Sequence, residues 1–92
     1  MNTKQSLPAA IREMVRQKPN LSLSSKRNYM IAALQFERTL GSKAIGRITA
    51  KDLEEHAARR QAAGRAPGTI NLELRVAALI FKRHKLLVED RR

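Results

Sequence analysis

Four times in 92 residues the apolar side chains return at intervals of three and four, and each series is bounded by a proline, a glycine or a capping residue. Leu7, Ile11, Met14 and Val15 form the first stripe, with Pro8 tolerated in the opening turn, and Pro19 ends a helix predicted over 7–18. Tyr29, Ala33, Phe36 and Leu40 form the second, capped by Ser24 or Ser25 and closed by Gly41. Thr49 with Asp52 reads as a capping box opening a third helix to about residue 63, where Gly64 stops it. Pro67 suits the first position of a fourth helix, which carries Ile70, Leu74, Ala77 and Phe81 to about residue 84. Val76, Leu79 and Ile80 widen that last face, so the fourth helix is expected to be the most buried. No two β-branched alternating runs flank a turn dipeptide, so the spacing predicts an all-α fold, a small four-helix bundle.

A chain of this length makes at most one domain with a small, regular core. Its 42% hydrophobic content is too high for a disordered basic tail. With no Cys there are no disulfides and no thiolate metal sites. No apolar run reaches the length of a membrane span or a secretion signal, which leads us to expect a cytoplasmic protein with no membrane association.

Charge narrows the partner. Lys and Arg number 19 against 8 Asp and Glu, a formal charge of +11. Such a surplus costs self-repulsion in the compact state and fits a polyanionic partner. One Tyr, two Phe and no Trp are thin equipment for stacking on unpaired bases, which favours duplex DNA over single strands or RNA. The net charge is +3 over residues 1–21, +4 over 22–47, +1 over 48–65 and +3 over 66–92, so the third helix is the near-neutral one.

Candidate reactive groups are few. His56-Ala57-Ala58-Arg59 places an imidazole and a guanidinium one turn apart, a spacing able to grip a phosphate but more often an ordinary helix-surface coincidence. His84 stands in no metal-ligand spacing with it, and Tyr29 falls in register with core positions rather than as a nucleophile. No phosphate loop or catalytic triad is present in the order of residues, so we expect no catalysis, no metal, no cofactor and no small-molecule substrate.

Three stretches then combine: Leu21-Ser22-x-x-Ser25-x-x-x-Tyr29-x-x-x-x-x-x-Phe36, Ile48-Thr49-x-x-Asp52-Leu53, and Gly64-x-x-x-x-Thr69-Ile70-Asn71-x-x-Leu74. In this order they resemble the N-terminal core-binding domain of tyrosine recombinases, the phage-integrase family. The resemblance implies a SAM-like helical bundle forming one jaw of a clamp on duplex DNA, with the catalytic residues in a separate domain. It divides the chain into an N-terminal helix and linker (1–20), a core-binding domain (21–88) and residues 89–92, a tail or the start of a linker to a catalytic domain. It also implies that the starts of the second and fourth helices approach the groove. The contact residues would be Ser25, Lys26, Arg27 and Asn28 on one, and Arg65, Gly68, Thr69, Asn71 and Arg75 on the other. Other integrase protomers on the same DNA would be further partners. Two other readings of the residues stay open: a small basic RNA- or ribosome-associated protein, and an interaction module using an exposed stripe on the first helix.

Overall fold

The computed structural model describes residues 4–84. They form four helices, α1 (Leu7–Arg16), α2 (Leu23–Leu40), α3 (Ala50–Ala62) and α4 (Pro67–Arg83), with a single 3-10 turn at Ile45–Arg47 between α2 and α3. The fold is a small all-α bundle. Among the described residues the sole β-like contact is an isolated bridge between Ser6 and Ala44, and no helix is long and apolar enough to cross a membrane.

The helix ends follow from local chemistry. Ser6 caps α1 through its hydroxyl, which accepts from the Ala9 amide at 3.3 Å. α1 stops at Arg16, two residues short of expectation, because the ring of Pro19 disfavours the helical conformation at Lys18. The cap of α2 is Ser22, a correction to Ser24 or Ser25: its extended backbone sets its hydroxyl 3.1 Å from the Ser25 amide, and Ser24 and Ser25 fall inside the first turn. Gly41 closes α2 at φ 61°, a left-handed conformation that glycine adopts without strain. At α3 the capping box is complete: the Asp52 amide donates to Thr49 Oγ1 (3.2 Å) and the Thr49 amide to Asp52 Oδ2 (2.9 Å). Pro67 occupies the first turn of α4, as its missing N–H predicts.

One apolar core joins α1, α2, the 3-10 turn and α4. Leu7, Ile11 and Met14 of α1 meet Ala32, Ala33 and Phe36 of α2, Ile45, and Val76, Ala77, Ile80 and Phe81 of α4, all buried. Tyr29, Leu40 and Leu53 pack at its edge. The stripe of α1 is therefore core, which removes the exposed face that a docking role for the first helix required. No break in packing falls at residue 20. Leu79, expected on the buried face of α4, is 41% exposed. α3 differs from its neighbours in kind, since its buried side chains are His56 and Arg60.

Contacts fix the sense of each helix. The Ile45 amide donates to the Gln5 carbonyl (2.8 Å) and Arg12 pairs with Glu37 (2.7 Å), so α1 begins beside the end of α2 and runs back along it. The Arg83 guanidinium donates to Gln17 Oε1, which brings the last residue of α4 to the end of α1. Six residues further along the chain, α2 begins.

Candidate nucleic-acid interface

The side chains implicated at the two helix starts occupy different places. Ser25, Lys26 and Asn28 are half-buried and Arg27 is exposed in the first two turns of α2. The Ser25 hydroxyl is already engaged, accepting from Ser22 Oγ at 3.0 Å. Arg65, Gly68, Thr69, Asn71 and Arg75 are all exposed. Arg65 and Asn71 line one shallow depression between α3 and α4, together with Gln61 and Pro67. Ala66 supplies no side-chain cap and Pro67 has no N–H; the Thr69 amide donates to the Ala66 carbonyl at 3.1 Å, which leaves the Gly68 amide for solvent or an anion.

The structure brings each set together internally but does not join the two. Glu73, in the first half of α4, bonds to His56, which in turn touches Phe36 and Thr39 near the end of α2. The other end of α4 meets the end of α1, close to where α2 starts. α4 thus runs against α2, and the two helix starts lie toward opposite ends of the pair.

His56 belongs to neither set. It is fully buried, stacked on Phe36 with ring centroids 4.2 Å apart, and so is closed to any phosphate. Its Nε2 lies 2.8 Å from Glu73 Oε1 and its Nδ1 2.7 Å from Thr39 Oγ1. A carboxylate only accepts, so Nε2 carries a proton and donates it to Glu73, while Nδ1 faces the Thr39 hydroxyl, which also bonds the Gln35 carbonyl at 3.2 Å. Glu73 is closed from its other side by Arg60: Nε lies 3.1 Å from both carboxylate oxygens and Nη2 2.7 Å from Oε2. The partner of His56 in this knot is Arg60, four residues on, and not Arg59, which points to solvent. Sequence reasoning missed this network. Its signal was Glu73 itself, an acid in register with Ile70, Ala77 and Ile80, which must find a buried partner.

Burial lowers the His56 pKa below its ordinary 6.5; Glu73 opposes that shift and Arg60 reinforces it. The folded state therefore holds the imidazole neutral while the unfolded chain protonates it near 6.5. Its contribution to stability is complete above that pH and is lost as the pH falls toward the lowered folded value. Asp52, lowered chiefly by the Thr49 amide, behaves the same way further down, below 3.8. Urea unfolding between about pH 7 and 5 should show stability declining with acid, and His56→Gln should flatten that slope while lowering the plateau. An unchanged slope in the variant would assign the acid sensitivity elsewhere.

Charge is segregated along the bundle. Of the acids among the described residues, Glu37 sits in the last turn of α2, Asp52, Glu54 and Glu55 open α3, Glu13 accepts from Gln5 near the start of α1, and Glu73 is buried against Arg60. Residues 14–36, 56–72 and 74–84 contain no acid at all. Comparison with protein-family models, curated proteins and solved structures gives no match.

Proposed function

We propose that this chain binds duplex DNA without catalysing a reaction, as the core-binding jaw of a phage-type integrase that supports DNA integration and recombination. The observation that carries the reading is the imbalance of its surface: most acids are paired or confined to one region, while exposed Arg16, Lys18, Arg27, Lys82 and Arg83 have no carboxylate within ion-pair distance among the described residues. A second observation favours duplex over single strands. Phe36 and Phe81 are buried and Tyr29 packs on the core edge, so no aromatic ring is left as a platform for unpaired bases. Lys and Arg would neutralise phosphates and release counterions, and Asn28 has the amide geometry to read an adenine edge.

The test is fluorescence anisotropy with a labelled duplex across salt concentrations. Affinity should fall about a thousandfold between about 50 and 200 mM salt if six phosphates are engaged. An RNA hairpin of matched length should compete weakly. Preference for the hairpin would move the chain to RNA recognition, and a flat salt response would end the electrostatic reading.

A further inference from the structure

We propose that the surface which meets the DNA backbone is the basic end of the bundle, built from the end of α1, the start of α2 and the end of α4, rather than the paired starts of α2 and α4. The inference rests on the duplex-binding reading and names the face that performs it.

The Gln17–Arg83 hydrogen bond marks this surface. There the end of α4 meets the end of α1, six residues before α2 begins, and each of the three segments is acid-free. Arg16 and Lys18 arrive from the end of α1, Lys26 and Arg27 from the first turns of α2, and Lys82 and Arg83 from the last turn of α4. Five of the six are exposed and Lys26 is half-buried. None has a carboxylate within ion-pair distance among the described residues, whereas Arg12 and Lys43 elsewhere do. The acids sit elsewhere: the start of α3 and the last turn of α2 hold Asp52, Glu54, Glu55 and Glu37, Glu13 bonds back toward the start of α1, and Glu73 is inside.

Helix electrostatics add to the same end. α2 points its N-terminus there with no acid in its first turn, so its partial positive charge is uncompensated. The partial negative ends of α1 and α4 are offset by their own basic last turns. A lattice of cations around a helix start that holds no acid to repel phosphate fits the sugar–phosphate backbone of a duplex. The α4 start is poorer ground because its free cations are fewer: Arg59 and Arg65 at the end of α3, with Arg75 two turns further into α4.

Two triple variants of the full chain, each removing three positive charges, separate the possibilities. R16Q/K18Q/K82Q takes cations from the basic end without touching the residues implicated at either helix start. R38Q/R47Q/R59Q takes three exposed cations from elsewhere. With a labelled duplex at low salt, the first should lose about tenfold or more in affinity and flatten the salt slope by about two to three, and the second should stay within about threefold of the parent. Equal losses in both, or a larger loss in the second, would overturn the basic end as the binding face while leaving duplex binding intact. Failure of the parent chain to bind duplex would sink both proposals together. Circular dichroism of each variant confirms that the fold is retained.

Discussion

Replacing Glu73 by alanine should destabilise the fold by about 3–5 kcal/mol, measured as the shift in urea unfolding at neutral pH. Two buried groups lose their acceptor at once: the Arg60 guanidinium, held by three contacts of 2.7–3.1 Å, and His56 Nε2, held at 2.8 Å. An uncompensated guanidinium in the interior is expensive, because little water reaches it. Glu73→Gln should cost less, since the amide oxygen still accepts from His56 and the shape is kept. A Glu73→Ala protein within about 1 kcal/mol of the parent would mean that Arg60 escapes to solvent and that the knot is incidental.

Deleting residues 1–20 should leave a chain that does not fold. The deletion takes Leu7, Ala10, Ile11 and Met14, each at most 2% exposed, out of the core. At about 1.5–3 kcal/mol for each large apolar side chain, the loss approaches the whole stability of an ordinary small domain. It would also bare the faces of α2 and α4 that they cover. Circular dichroism and the dispersion of amide resonances would report the outcome. A cooperatively folded 21–92 chain would show that the three remaining helices hold a core without α1, and that the division at residue 20 is a real one.

Much of the fold was legible because its signals are local. Pro19, Gly41, Gly64 and Pro67 punctuate the helices where backbone chemistry demands, and Thr49 with Asp52 announces α3 through a reciprocal hydrogen bond within four residues. Leu7, Ile11 and Met14 declare a stripe by spacing alone. Choosing between Ser22 and its neighbours was harder, since three serines in four residues have the same capping chemistry and only the position of the Ser25 amide separates them. The knot of His56, Arg60 and Glu73 was hidden because its members sit on two helices, and the motif that drew attention named Arg59. The candidate surface was half visible. Lys26 and Arg27 stand out in the sequence, but that Arg16, Lys18, Lys82 and Arg83 share their end of the molecule depends on α4 returning to α1, a tertiary fact.

The manner in which α3 is seated has its own consequence. Oily side chains tolerate sliding, so a helix held only by them has several nearly equivalent seats a turn apart. A forked guanidinium on a carboxylate, with an imidazole wedged between a hydroxyl and the same acid, has one. α3 is thus indexed like a tooth in a gear: it sits in its single position or comes away whole. Under mild acid its amides should exchange with deuterium as a block, before those of α1, α2 and α4.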